Sequence, residues 1–144
     1  MKKLILLLTV FCALISIDSK AQSAKSNLYK GTIDGKILVT FYIKEEESPC
    51  TGDLMYTSMY KYDKSGSWIQ LDITTNQNQF VLVEHGFSGV MVLKKSETTF
   101  TGLWISPDTK KQLKVDLKEV RLIKKEIETY ENKMEEVNYQ NNDC

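Results

Sequence analysis

The sequence predicts an all-β fold, an antiparallel up-and-down meander of about eight strands followed by one C-terminal α-helix. Three observations lead there. Short segments rich in Val, Ile, Phe and Tyr follow one another from residue 28 to 117, each bounded by turn residues. Two of them alternate cleanly, Ile69, Leu71 and Ile73 against Trp68, Gln70 and Asp72, then Leu113, Val115 and Leu117 against Lys114, Asp116 and Lys118. From residue 120 onward the apolar spacing changes to three and four, through Val120, Ile123, Ile127, Tyr130, Met134 and Val137.

The elements follow in order. Lys2 and Lys3 precede an apolar run from Leu4 to Ile17, and Ser19-Lys20-Ala21 supplies small residues at the −3 and −1 positions of a cleavage site. Residues 1–21 read as a secretory signal peptide. A bilayer span needs about 20 apolar residues, and this run is shorter, so no stable membrane anchor is expected after cleavage. Cys12 follows the bulky Phe11 in mid-run, which argues against a lipid-bearing cysteine. Residues 22–119 then form the barrel domain. Strands are expected at 28–33, 36–44, 52–62, 68–74, 80–85, 89–94, 99–105 and 112–117. Asp34-Gly35, Asp63-Lys64-Ser65-Gly66, Gly86, Lys95-Ser96-Glu97 and Ser106-Pro107-Asp108-Thr109 mark turns between them. Glu45-Glu46-Glu47-Ser48-Pro49 reads as a charged loop. Short hairpin links favour pairing of neighbours all the way round, so a closed barrel is preferred to a sandwich, since closure removes exposed edges. Residues 120–144 are the helix and its tail. The helix runs to Val137, folds back on the barrel rather than forming a dimer seam, and leaves 138–144 loose unless a disulfide ties that tail down. A monomer is expected.

Composition narrows the function. Lysine plus arginine and aspartate plus glutamate each number 19 in the 144 residues, and removal of the signal leaves a chain of about −2. That balance, with no basic run, excludes nucleic acid as the expected partner. The location expected is periplasmic or secreted. Cys50 and Cys144 remain after cleavage, and an even pair in an oxidising compartment predicts a disulfide. No enzyme is expected. His85 is the single histidine, no Gly-x-Ser-x-Gly is present, and Phe87-Ser88-Gly89 is a turn. No metal or cofactor is expected, for no Cys-x-x-Cys or paired histidines occur and three consecutive glutamates diverge in extended chain.

Tyr29-Lys30-Gly31-Thr32-Ile33 before a hairpin and an apolar strand, and Thr99-Phe100-Thr101-Gly102-Leu103-Trp104 before Ser106-Pro107-Asp108, carry a resemblance. From about Tyr29 to Leu117 the chain resembles small secreted bacterial barrels of the lipocalin and avidin-like, calycin-type group. The resemblance implies an architecture and a habit of binding. It does not extend to biotin, whose polar ligand groups are not matched.

Period-two reasoning places Phe80, Leu82 and Glu84 on one face of a strand, and Tyr56 in a second row with Leu54, Ser58, Tyr60 and Tyr62. Tyr56, Phe80, Leu82 and Glu84 are the lumen candidates. Trp68, on a polar strand face, and Glu45, Glu46 and Glu47, on the charged loop, are the partner-contact candidates. Met55 and Met59 make the opposite row of their strand apolar as well, which suits docking of the helix. Two functions are expected from these residues. The first is a non-enzymatic exported binding domain taking a small apolar molecule in the lumen. The alternative is a protein-interaction module for an extracytoplasmic protein, such as an inhibitor or immunity protein against a cell-wall hydrolase.

Overall fold

The computed structural model describes residues 24–142. The segment expected to be a signal peptide and Cys144 lie outside the described residues. Eight strands form a closed antiparallel barrel in sequence order. They are β1 (Lys25–Ile33), β2 (Ile37–Glu47), β3 (Leu54–Tyr62), β4 (Trp68–Asn76), β5 (Gln79–Glu84), β6 (Val90–Ser96), β7 (Thr99–Ile105) and β8 (Gln112–Val120), followed by α1 (Lys124–Asn142). β1 closes on β8, from Leu28 opposite Val120 to Ile33 opposite Val115.

The inward rows fill the barrel. Phe100 is the hub of a ring cluster, with centroids 4.8 Å from Tyr29, 5.7 Å from Phe41 and 5.1 Å from Phe80, all edge-on. Tyr56 extends it, 5.5 Å from Phe80. These are favourable edge-to-face separations, and an eight-stranded barrel is just wide enough for its own side chains to occupy it. Gly31 and Gly102 stand in inward rows where strands crowd their neighbours. A Cβ on Gly102 would lie 2.0 Å from the Val92 carbonyl oxygen, and one on Gly31 1.9 Å from that of Asp116. Only glycine lets the backbones approach so closely.

The second core lies outside the wall. Outward residues Leu28, Tyr42 and Met59, with Trp68 beside them, are covered by Leu122, Tyr130, Met134 and Val137. Tyr42 and Tyr130 stack at 5.2 Å, and Trp68 meets Tyr130 edge-on at 5.8 Å. The helix therefore folds back across β1 to β4, as its apolar stripe and the two-faced β3 required. An unsupported helix of this length is marginal in water, and each large side chain buried here contributes about 1.5–3 kcal/mol.

Several expectations are corrected. Val120 belongs to β8, where it completes the pairing with β1, and α1 begins only at Lys124. Ile123 is exposed just before the helix, and its backbone N–H donates to Glu126 Oε2 at 2.9 Å, one arm of a capping box. Residues 138–142 are helical rather than loose. Gln70 on β4 holds them, donating to Asn138 Oδ1 at 3.0 Å and accepting from Asn141 at 2.9 Å. Glu45, Glu46 and Glu47 are not a loop. β2 runs through Glu47 and pairs with β3 as far as Leu54. Cross-strand hydrogen bonds there outweigh the like-charge run, and Lys44 offsets part of it through a 2.9 Å ion pair with Glu46.

Candidate functional site

Each lumen candidate points inward, but the barrel divides them between its two ends. Phe80, Leu82 and Glu84 form one inward row of β5, since backbone alternation keeps residues two apart on one face. Phe80 lies near the end that carries the β2–β3, β4–β5 and β6–β7 connections, together with Tyr56. Leu82 is wholly buried in mid-barrel. Glu84 stands at the opposite end and shares no surroundings with Tyr56.

Glu84 is a buried carboxylate in a closed knot. The Tyr60 hydroxyl and Trp104 Nε1 both donate to its Oε1, the latter at 2.7 Å, and the Ser88 hydroxyl donates to Oε2 at 2.5 Å. The Tyr60 oxygen lies 2.9 Å from the Tyr62 hydroxyl. Gly89 makes the knot possible, because a Cβ there would lie 2.6 Å from Trp104 Nε1 and 2.7 Å from Glu84 Oε1. Burial, and then the bond to Glu84, hold the Tyr60 hydroxyl far above the ordinary tyrosine range. Every polar atom in this group is turned on another, so the knot caps the core and offers no open ligand position.

At the Glu45 end, Glu45 is the inward continuation of Phe41 and Ile43 on β2. Tyr29 is pushed up to about 12, first by burial and then by Glu119 and Glu45. Tyr56 is also raised, by burial first and then by Glu45. Lys95 places its ammonium 5.9 Å from the centroid of Phe100. Two carboxylates, two phenols and one ammonium thus rim an aromatic floor whose rings touch one another. A cleft of about 380 Å³ beside the β4–β5 turn, lined by Asn76, Gln77, Asn78, Gln79 and Lys94, is polar and lies outside the lumen.

The partner-contact candidates fare differently. Trp68 does point outward, but it is half-buried beneath Tyr130 with Lys61 Nζ 5.3 Å from its ring, so the helix already occupies its face. Glu45 is turned to the barrel mouth and Glu46 is paired with Lys44. Cys50 is exposed in the β2–β3 connection and forms no disulfide among the described residues. Among the described residues, no group of three or more His, Cys, Asp or Glu side chains is placed to hold a metal.

One surface was passed over by the sequence reading. Val81, Val92 and Leu103 face outward in one cross-strand row, directly paired, and Val83, Val90 and Ile105 form a second. They cover the outer wall of β5, β6 and β7. Val81, Val92 and Leu103 are 39%, 42% and 39% exposed, so no part of the described chain covers them. Phe87 stands exposed on the β5–β6 turn that continues these strands. The signal was present in the sequence: residues 80–83 and 90–93 are apolar without alternation, which means apolar side chains on both faces of each strand.

No family model, no curated protein and no solved structure matches the chain.

Proposed function

We propose that the chain is an exported, non-enzymatic protein-interaction module, a monomer that holds an extracytoplasmic protein against the outer wall of β5 to β7. The observation that carries this reading is the pair of aliphatic rows on that wall. Contiguous exposed apolar surface on a small domain marks an interaction site, and aliphatic rows rimmed by polar residues such as Asp72, Lys94 and Lys114 resemble the core and rim of a protein interface. The filled lumen supports the same choice over a small apolar ligand, because the rings of Tyr29, Phe41, Phe80 and Phe100 already occupy the space such a ligand would need. The resemblance to calycin-type barrels is then one of architecture, with binding moved from the lumen to the wall.

A photo-crosslinking residue at Val92, compared with one at Lys30 on the outer face of β1, tests the proposal in the native source. A single protein captured at Val92 and not at Lys30, and lost when Val81 and Leu103 are changed to Lys without loss of folding, supports it. Equal capture from both positions, or a small molecule bound one to one in the natively purified protein, overturns it.

A further inference from the structure

The barrel wall is open along part of one seam. β3 and β4 pair only from Lys61 opposite Trp68 to Ser58 opposite Leu71. Beyond that both strands run on, β3 back to Leu54 and β4 forward to Asn76, each paired only with its other neighbour. Successive strand residues direct their backbone groups to alternate sides. The Gln70 carbonyl accepts from the His85 N–H at 2.9 Å, so Gln70 faces β5, and Ile69 and Leu71 face β3. Their partners Tyr60 and Ser58 therefore face β4, and by alternation so do Tyr56 and Leu54. The Asp53 carbonyl, which accepts from Ser48 at 2.8 Å, gives the same phase from the other end. The N–H and C=O of Leu54 and Tyr56 thus face the opening with no ladder partner among the described residues.

We propose that this open edge of β3, at Leu54 and Tyr56, takes an extended, basic peptide segment of a partner protein as an added antiparallel strand. The backbone pattern selects the shape of the occupant, for an unpaired edge is a template for another strand. Leu54 and Met55 are 53% and 43% exposed, so nothing described covers the edge. The charge selects the composition. Glu45, Glu46 and Asp53 outnumber Lys44, which pairs with Glu46, in the strand ends beside the opening, and Asp72 stands across it. Lysine or arginine at alternate positions of the added strand meets that field, and apolar residues between them meet Tyr56 and Ile73. A second copy of this chain is disfavoured by the same charges, since edge-to-edge pairing of two β3 strands would bring the acidic runs together. The site is separate from the β5–β7 wall and does not depend on it.

A capped peptide alternating Val and Lys is added to the purified protein, and backbone amide exchange is followed. Exchange at Leu54 and Tyr56 is expected to slow. The same peptide N-methylated on alternate residues should lose the effect, and a Val and Glu peptide should bind about tenfold more weakly, or about 1.4 kcal/mol. Leu54→Pro removes an N–H that faces only the opening, at the first residue of a strand where proline is tolerated, and should lose the peptide while still folding. If that variant does not fold, the N-methylated peptide decides, because it leaves the protein unchanged. Binding that survives N-methylation, slowing at other amides only, or no slowing at millimolar peptide overturns the proposal. Slowing at these two amides that rises with protein concentration alone also overturns it, in favour of self-pairing.

Discussion

Glu84 offers the sharpest test of how the barrel is closed at the end opposite Tyr56. In Glu84→Gln the amide oxygen can still accept from Tyr60 and Trp104, and the new amino group meets Ser88, whose hydroxyl turns from donor to acceptor. The number of bonds is unchanged, each losing about 1 kcal/mol of charge assistance. Relief from burying a charge offsets that loss by a similar order, so Glu84→Gln should lie within about 1 kcal/mol of the parent protein. In Glu84→Leu the acceptor is gone. Tyr60 can turn to Tyr62, 2.9 Å away, and the exposed Ser88 can turn to water. Trp104 Nε1 keeps no acceptor, at a cost of about 1–3 kcal/mol, and the altered packing adds to it. A loss of about 3 kcal/mol is expected, which for a domain of this length lowers Tm by about 10 °C. Urea titrations of both variants, with Trp104→Phe and the double variant Glu84→Leu/Trp104→Phe, complete a cycle. The double variant should be less damaged than the sum of the singles by about 2 kcal/mol. A Glu84→Leu protein as stable as the parent, with an additive cycle, would refute the account of the knot.

Alkaline pH should unfold the protein as its tyrosines ionise. Tyr29 is pushed up to about 12 by burial, and Tyr42, Tyr56, Tyr60, Tyr62 and Tyr130 are also raised, mainly by burial. The unfolded chain loses these protons near the ordinary tyrosine value of 10.0 while the folded chain keeps them, so the stabilisation is intact below that pH and is lost as pH rises towards about 12. Phenolate absorbance should rise together with loss of circular dichroism, and a full ordinary titration with the dichroism intact would count against this. Gly102→Ala should cost several kcal/mol, on the order of the upper range for single substitutions, because a Cβ 2.0 Å from a carbonyl oxygen forces the strands apart; thermal melting checks it. Val137→Asp puts an unpaired charge among Leu28, Tyr42 and Met59 and should lower stability by about 3 kcal/mol in a chain that sediments as a monomer throughout. A dimer that this change splits into equally stable monomers would restore the coiled-coil seam.

Most of the barrel was legible because its signals are local. Alternation at Trp68 to Thr74, the Asp34-Gly35 and Pro107-Asp108 turns and the change of period after residue 119 each need only a few neighbouring residues to be read. The errors fall where tertiary contacts override local character. The glutamate run looks like a loop, yet its backbone continues the ladder to β3. Val120 fits a helical stripe and a strand equally well, and pairing with Leu28 decides for the strand. Asn138 to Asn142 look like a loose tail until Gln70 on β4 supplies partners. The inward direction of Glu84 followed from parity alone, but its ligation by Trp104, twenty residues away, and the need for Gly89 depend on how β7 packs against β5. No spacing rule within the sequence carries that information.

Trp68 on β4 and Val92 on β6 make the same point. Both are apolar residues on the outer face of a strand, and sequence reasoning marked only the first as a partner contact. The distinction lies in what one helix can cover. α1 presents Tyr130, Met134 and Val137 along a single face, and these, with Leu122 just before the helix, are spent on Leu28, Tyr42, Met59 and Trp68. The chain has no second helix among its described residues with which to shield Val81, Val92 and Leu103. An outer row that the chain covers itself contributes fully to folding, whereas the row left bare contributes only through its cross-strand pairs and keeps about 40% of its surface in water. The bare row is therefore the surface on which the proposed contact with another protein rests.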